Sequence, residues 1–278
     1  MSQTRAPPLR RYGLGNSIAR GSVEEKGRYN GIVWAKEATD SLFDGSEIKD
    51  QTKSLPKFHE GNIQLGSLLR EGRFASLHEV ASFESHSAEK SSIYPYNPEK
   101  AGSCHISEAI QREEDQLDEL NIISTAQQIQ ENCIRVDGSA RYMIKAFRHE
   151  IINDSDLFIQ GVQYMMTESR ILSSLSHPNI IKLQATSTVD AGSEFFFMVF
   201  DRLYESLDHH LERWSAGKTK GTFRKKGLFR KKEKKLNPYD EKVLIMLDLS
   251  NAVHYLHTNK IVHRQLAPEN IGFSVVSH

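Results

Sequence analysis

The sequence predicts an α+β fold in which a sheet precedes a group of helices, and three stretches carry this prediction. Residues 62–83 fit two strands joined by a glycine-containing turn. Residues 156–176 repeat apolar side chains on one helical face: Phe158, Val162, Met165, Leu172 and Leu175. Residues 240–257 are apolar nearly all round, which predicts a helix buried in a core.

Composition fits a soluble globular chain with some disordered parts, since 38% of the residues are apolar and 26% are charged. The formal net charge is +0, so the overall charge does not indicate binding to nucleic acid or to a membrane surface. Cys104 and Cys133 lie too far apart for a CxxC zinc site and form no disulfide framework. No apolar run approaches the roughly 18 residues of a membrane span. The N-terminal residues lack the apolar core of a secretory signal, so a cytoplasmic or nuclear location is expected.

The chain divides into a tail and a domain. Residues 1–60 are polar and show no sustained helical or strand period, which predicts a disordered N-terminal tail. Residues 61–278 are predicted to form one partial domain with two flexible insertions, an acid-rich one at 85–132 and a basic one at 217–236. A helix over Ile106–Leu120 is the alternative within the first insertion.

Five stretches carry candidate chemistry when they are taken in order. They are "LREGRFASL" (69–77), "YMIK" (142–145), "MTESRILSSLSHPNIIKL" (166–183), "MVFDRLYESLDHHL" (198–211) and "YLHTNKIVHRQLAPENIGF" (255–273). A glycine turn or a strand lysine alone is more often an ordinary hairpin or a solvated face. Together, over Ile63–Phe273, the five resemble a eukaryotic protein kinase domain of the Ser/Thr type.

This resemblance implies a fold and two cofactors. The expected protein-kinase-like fold has an N-terminal lobe of antiparallel sheet plus one regulatory helix, followed by a truncated helical C-terminal lobe. ATP and Mg²⁺ are the implied cofactors. Lys145 is expected to pair the α- and β-phosphates of ATP, and Glu168 is expected to hold Lys145.

The resemblance also assigns binding residues. Gly72 and the tip residue Phe74 match the loop whose backbone amides approach the phosphates, although the flanking glycines of the family are replaced. The remaining nucleotide-binding candidates are Leu77, Met143, Phe200, Asp201 and Leu203. Asn270 is the candidate metal ligand in the catalytic loop.

Several departures from the family affect chemistry rather than scaffold. Gln265 replaces the catalytic Asp, and an amide cannot accept the proton of a substrate hydroxyl. Ala267 replaces a lysine that steadies the transferring phosphate, and Met143 stands where a small residue leaves room for adenine. The DFG and activation segments do not occur before the last residue, His278. We therefore expect an inactive or very weak kinase, the alternative being a non-catalytic scaffold or partner-binding module.

Partners are suggested by two segments. A protein partner that covers the apolar helix of the truncated second lobe is one expectation. The basic run at 217–235 has three interpretations: a solvated insertion, an import or anionic-surface patch, and, least favoured, a nucleic-acid site. His254 and His257 have a spacing that metals can use, but ordinary helix packing is the preferred interpretation.

Overall fold

The computed structural model describes residues 23–84, 106–216 and 238–274. These residues form two compact units. The first unit contains the described residues up to Ser174 together with Leu183–Asp201. The second contains Leu175–Lys182 and the described residues from Arg202 onward.

A six-stranded sheet forms the body of the first unit. Its strands are β1 (Lys57–Phe58), β2 (Ile63–Glu71), β3 (Ala75–Phe83), β4 (Tyr142–Phe147), β5 (Leu183–Ser187) and β6 (Phe197–Asp201). The strand order is β1–β5–β6–β4–β3–β2, and every neighbouring pair is antiparallel except the parallel pair β1–β5. The predicted strand pair in residues 62–83 is confirmed as β2 and β3. Together with the helices described below, the sheet confirms the α+β, protein-kinase-like fold class.

Strand alternation gives β4 two different faces. Tyr142 and Ile144 belong to a hydrophobic core that includes Val80 of β3. Phe147, on the opposite face, contacts Phe158 with ring centroids 5.1 Å apart. Lys145 shares the face of Phe147, so the strand carries this lysine towards a helix rather than into the apolar core.

That helix is α4 (Ser155–Ser174), which follows the short helix α3 (His149–Ile152) and confirms the prediction for residues 156–176. The Asp154 carboxylate accepts a hydrogen bond from the Leu157 amide at 3.0 Å and caps the N-terminus. Phe158, Val162 and Met165 are at most 1% exposed. Burying each of them stabilises the unit by about 1.5–3 kcal/mol, which fixes both the rotation and the height of α4.

A helix precedes the sheet, in a stretch for which the sequence predicts disorder. α1 (Val23–Leu42) packs on α4. Ala35 and Thr39 are 0% and 4% exposed, and the guanidinium of Arg170 lies 4.4 Å from the ring centroid of Phe43. The predicted disordered tail over 1–60 is therefore wrong for residues 23–60, while residues 1–22 lie outside the described part of the chain. Few apolar residues and weak helical periodicity concealed the helix, because docking rather than propensity stabilises it.

The acid-rich insertion also contains a helix. α2 (Ile106–Glu131) is longer than the alternative considered over Ile106–Leu120. Its C-terminal end is anchored, because Ile129 and the following Cys133 are 3% and 9% exposed within the sheet core. The predicted flexible insertion at 85–132 is therefore wrong for residues 106–132, and residues 85–105 lie outside the described ones.

The second unit is built around two helices and a short strand pair. Its elements are β7 (Glu205–Ser206), α5 (Leu207–Ser215), α6 (Pro238–Thr258) and β8 (Gly272–Phe273). His210 is 3% exposed and lies 3.2 Å from the Glu241 carboxylate through Nε2. Arg213 contacts His210 Nδ1 at 2.7 Å and also donates to Glu205 at 2.7 Å. His210 Nδ1 also lies 3.1 Å from the Glu205 carboxylate, so the ring contacts side chains of both α5 and α6 and ties the two helices together.

The predicted helix at 240–257 is confirmed in type and corrected in burial. Ala252 and Leu256 of α6 are buried at 6% and 7% exposure. Four apolar side chains nevertheless lie at least 48% exposed: Val243, Leu244, Met246 and Leu247. Apolar composition predicts a tendency to be buried, whereas burial also requires a neighbouring element. The basic insertion at 217–236, which follows α5, lies outside the described residues. No helix among the described residues combines the length and apolar character needed to cross a membrane.

Candidate active site

Lys145 and Glu168 meet in the first unit. The Lys145 ammonium donates to both oxygens of the Glu168 carboxylate, at 2.8 and 2.5 Å. Their side chains are 14% and 24% exposed. β4 supplies the lysine and α4 supplies the glutamate, which lies 23 positions later in the sequence. The ion pair expected from the family resemblance is therefore present in the folded chain.

The environment of Lys145 favours its charged form. Burial lowers the pKa of the Lys145 ammonium, but attraction to the Glu168 carboxylate and to Tyr164, with hydrogen bonds to both, outweighs burial. The net pKa of Lys145 is raised above its ordinary value of 10.5. The group is consequently a fixed cation at neutral pH, suited to attract an anion and unsuited to act as a base.

Tyr164 is a site residue that the sequence did not reveal as one. Its hydroxyl oxygen lies 3.1 Å from the Lys145 ammonium, and the ammonium lies 4.6 Å from the centroid of its ring. Tyr164 precedes Glu168 by one helical turn, so both side chains project from the same face of α4. This i, i+4 relation was the available signal, although many helical tyrosines share it without contacting a functional group.

The turn between β2 and β3 closes against α4. The Gly72 amide donates to the Ala75 carbonyl at 2.8 Å, and a Cβ on Gly72 would lie 3.2 Å from the same oxygen. The Phe74 carbonyl accepts a hydrogen bond from the Arg148 amide at 3.2 Å. The ring of Phe74 lies 5.8 Å from that of Tyr164. Gly72 thus permits a tight turn, and Phe74 connects the tip of that turn to the surroundings of Lys145.

Three of the predicted nucleotide-binding side chains share one face of the sheet with Lys145. Leu77 pairs with Lys145 across β3 and β4, and Met143 pairs with Phe200 across β4 and β6. Met143 and Phe200 are 5% and 3% exposed, whereas Leu77 is half-buried. The register therefore places these residues on one face of the sheet, with Met143 packed as a core side chain.

The two remaining nucleotide-binding candidates belong to different units. Asp201 ends β6 in the first unit, where its carboxylate accepts a hydrogen bond from the Gln184 amide at 2.7 Å. Leu203 lies in the second unit and packs against Gly272, where an added Cβ would come within 2.5 Å of the leucine Cδ1. Each residue has a structural contact within its own unit that accounts for its position.

The loop 261–270 of the second unit is tightly turned and exposed. Arg264 has a φ of 65°, and the amide of Gln265 donates to the carbonyl of His263 at 2.8 Å. This is a three-residue turn with its central residue in the left-handed region, which is strained for a side chain other than glycine. The side-chain amide of Asn270 donates to the Gln265 carbonyl at 3.0 Å. This hydrogen bond closes residues 265–270, and the Oδ1 atom of Asn270 retains its acceptor capacity.

The two loop residues to which the family resemblance assigns catalysis and metal binding are both neutral. Gln265 contributes an amide in place of a carboxylate, and Asn270 contributes a neutral oxygen. Among the described residues, no cluster of three or more His, Cys, Asp or Glu side chains is placed to bind a metal ion. His254 and His257 accordingly belong to no such cluster. The side-chain hydrogen bond of Asn270 stabilises the loop, and its amide offers one neutral oxygen as a ligand.

Comparison with known proteins gives one family and several relatives. Residues 110–275, more than half of the chain, match the family model described as "Protein kinase domain". The chain is 32% identical over 117 residues to inhibitor of nuclear factor kappa-B kinase subunit alpha of Xenopus laevis, which covers 42% of this chain and 14% of that protein. It is 32% identical over 121 residues to a protein kinase and PP2C-like domain-containing protein of Arabidopsis thaliana, covering 43% and 14%.

A third relative carries a more specific name. A serine/threonine-protein kinase of Pyricularia oryzae is 28% identical over 134 residues, which covers 47% of this chain and 22% of that protein. The matched segments therefore span between 14% and 22% of these relatives.

Proposed function

Because this chain belongs to the protein kinase family, we propose that it is a nucleotide-binding, Ser/Thr-type kinase domain with impaired phosphoryl transfer. The proposal rests on one contrast: Lys145 and Glu168 form a close ion pair, whereas the catalytic loop carries Gln265 where the family places an Asp. The first feature supports attraction of a phosphate group. The second removes the group that would accept the proton of a substrate hydroxyl.

ATP fits the residues of the first unit. Lys145 is a permanent cation on the same sheet face as the half-buried Leu77 and the buried Met143 and Phe200, so a charge lies beside apolar side chains. ATP would supply the transferable phosphoryl group, and Lys145 would hold its phosphates. Gly72 would allow the backbone of the turn to approach those phosphates without a side chain in the way.

Mg²⁺ fits the described donors less well. Mg²⁺ prefers carboxylate and phosphate oxygens in octahedral geometry, whereas Asn270 offers a neutral amide oxygen. Members of the family use ATP with Mg²⁺ in general. For this chain we assign Asn270 as a loop-closing residue that could add one neutral ligand, and we derive no step through the metal.

Gln265 limits what the loop can do chemically. A carboxamide does not accept a proton at neutral pH, and loss of a general base typically lowers a rate by ~10²–10⁴-fold. Ala267 supplies no cation to steady a transferring phosphate. The remaining functions of the loop are positional, because Asn270 and the strained turn at Arg264 still define its shape.

A transfer assay with matched variants tests this proposal. Radiolabelled ATP and a generic protein substrate should give no labelling by the wild-type chain above that of Lys145→Ala. Nucleotide titration should show ATP binding by the wild type that is weakened in Lys145→Ala. Robust wild-type transfer that disappears in Lys145→Ala would contradict the proposed impairment. A Gln265→Asp variant shows whether the amide alone is responsible, because transfer by that variant would assign the defect to this one position.

A second candidate function, a partner-binding module, is supported by α6. Four apolar side chains of this helix are exposed in the described structure, which is unusual for a contiguous helical face: Val243, Leu244, Met246 and Leu247. The simplest partner is a second copy of the chain. Sedimentation of the wild type and of Leu247→Glu distinguishes the cases, because only self-association through α6 would give a larger wild-type mass that falls in the variant.

A further inference from the structure

The Lys145 ammonium has no hydrogen-bonding capacity left in this structure. A protonated lysine has three N–H donors and no acceptor. Two donors are accounted for by the oxygens of Glu168, at 2.8 and 2.5 Å, and the third by the Tyr164 hydroxyl at 3.1 Å. An anionic ligand that binds Lys145 must therefore replace one of these three acceptors.

Tyr164 is the contact that gives way most readily. Glu168 carries a full charge and holds Lys145 through two oxygens, whereas the Tyr164 hydroxyl is a neutral acceptor at a longer distance. Tyr164 is also 45% exposed, so its side chain has solvent into which it can swing. Breaking this contact costs less than separating the ion pair.

Phe74 extends this contact to the turn between β2 and β3. Its ring lies 5.8 Å from the ring of Tyr164, and its Cβ would lie 3.4 Å from a Cβ placed on Gly161 of α4. Arg73 reaches Gln160 of α4 at 3.4 Å. The tip of the turn is thus fastened to the same helix that carries Tyr164, and movement of Tyr164 would loosen it.

We propose that Tyr164 is an intramolecular competitor for Lys145, whose hydroxyl occupies the position that a phosphate oxygen of a nucleotide takes when it binds. This inference rests on the proposed nucleotide binding by the first unit. It assigns Tyr164 as a positioning residue that weakens phosphate binding and, through Phe74, couples phosphate binding to the turn at Gly72. Adenosine, which has no phosphate, does not compete with Tyr164.

The Tyr164→Phe variant isolates the hydroxyl, because the phenyl ring preserves the contacts with Phe74 and with the lysine side chain. Tyr29→Phe is the matched control, since Tyr29 is 68% exposed on α1. Titration with ATP in the presence of EDTA should give a dissociation constant about tenfold lower for Tyr164→Phe than for the wild type, given the usual strength of hydrogen bonds to charged groups. The affinity for adenosine should stay the same in all three proteins.

A nucleotide-free measurement separates this inference from the proposed function. Acetylation of the purified chains with an amine-selective reagent, followed by peptide mass spectrometry, reports how accessible the Lys145 amine is. Tyr164→Phe should raise acetylation at Lys145 severalfold and leave Lys36 unchanged, while Tyr29→Phe should match the wild type. Circular dichroism confirms that the variants remain folded.

Each result has a defined consequence. Equal Lys145 acetylation in the wild type and Tyr164→Phe overturns the inference. If the wild type binds ATP, an unchanged or weaker affinity of Tyr164→Phe for ATP also overturns it. An equal gain for ATP and adenosine also overturns it, because the effect would then not depend on phosphate. If no variant binds ATP but acetylation rises as expected, the proposed nucleotide binding fails while the competition by Tyr164 for the Lys145 ammonium stands.

Discussion

The Lys145–Glu168 pair of the first unit and the Gln265–Asn270 loop of the second unit are both polar, but their environments differ. Lys145 and Glu168 have side-chain exposures of 14% and 24%, whereas Gln265 and Asn270 are exposed. Removing one partner of a largely buried ion pair leaves an unpaired charge, which destabilises the fold. Exchanging a carboxylate for an amide on an exposed loop costs the fold little.

This difference changes how the two regions bear on function. Stability alone is sufficient reason for Lys145 and Glu168 to occur together, so their presence does not by itself indicate catalysis. Fold stability does not require a particular side chain at the exposed position of Gln265. The amide at this position is therefore more informative about chemistry than the ion pair is. The comparison predicts that substitutions in the first region alter stability and that substitutions in the second alter only function.

The largest effect is expected from the packing that places Glu168. Phe158 is 1% exposed and contacts both Phe147 and the guanidinium of Arg28, the latter 4.1 Å from its ring centroid. Phe158→Ala should lower the free energy of unfolding of the first unit by about 3–5 kcal/mol, since it removes a ring from a close-packed site. Urea denaturation followed by circular dichroism measures the change. Leu266→Ala, at a position 51% exposed in the loop, is the control and should stay within about 0.5 kcal/mol of the wild type.

The second prediction concerns the ion pair itself. Glu168→Gln keeps the shape of the side chain but leaves Lys145 without its anionic partner, so stability should fall by about 1–3 kcal/mol. Gln265→Glu, which adds a carboxylate at an exposed position, should change stability by less than about 0.5 kcal/mol. Parallel urea titrations of the two variants compare the regions directly. Similar losses in both would show that the contrast in burial does not govern them.

Much of the fold followed from periodicity, because periodicity reports which side of an element is apolar. The helical spacing of Phe158, Val162 and Met165 correctly predicted α4, and alternation together with a glycine turn correctly predicted β2 and β3. The protein kinase resemblance then predicted that Lys145 pairs with Glu168. No local sequence pattern relates two residues that lie 23 positions apart.

Other features depend on tertiary contacts that the sequence does not encode locally. α1 was predicted to be disordered because its buried positions are small or polar, as in Ala35 and Thr39. These positions are covered only because α1 packs on α4. The exposure of α6 was missed for the opposite reason, since its composition is that of a core helix. Tyr164 escaped notice because its role depends on the position of the Lys145 ammonium in three dimensions.

Two glycines of α1 provide a smaller and more local test of how the first region is held. Gly31 touches Ile159 so closely that an added Cβ would overlap its side chain, whereas no atom lies within 4 Å of a Cβ added at Gly27. Alanine favours a helix interior over glycine by roughly 0.5–1 kcal/mol. Gly27→Ala should therefore stabilise the protein, while Gly31→Ala should lose this gain because Ile159 must leave its rotamer. A difference of about 1 kcal/mol between the urea-derived stabilities is expected. Identical gains would show that α1 does not pack on α4 as described.

The smallest expected effect is the pH dependence contributed by Lys145. Its folded-state pKa is raised above the ordinary value of 10.5, because attraction to Glu168 and Tyr164 outweighs the effect of burial. A raised pKa means that the folded state holds this proton more tightly than the unfolded state. The stabilisation is therefore complete below about pH 10.5 and is lost as the pH rises through the folded-state pKa. The stability difference between wild type and Glu168→Gln should be constant from pH 7 to 9 and shrink above pH 10.5. Repeating the comparison in a Tyr164→Phe background removes the hydroxyl that contacts Lys145. A difference that grows with pH would mean that Lys145 is not the cation that Glu168 stabilises.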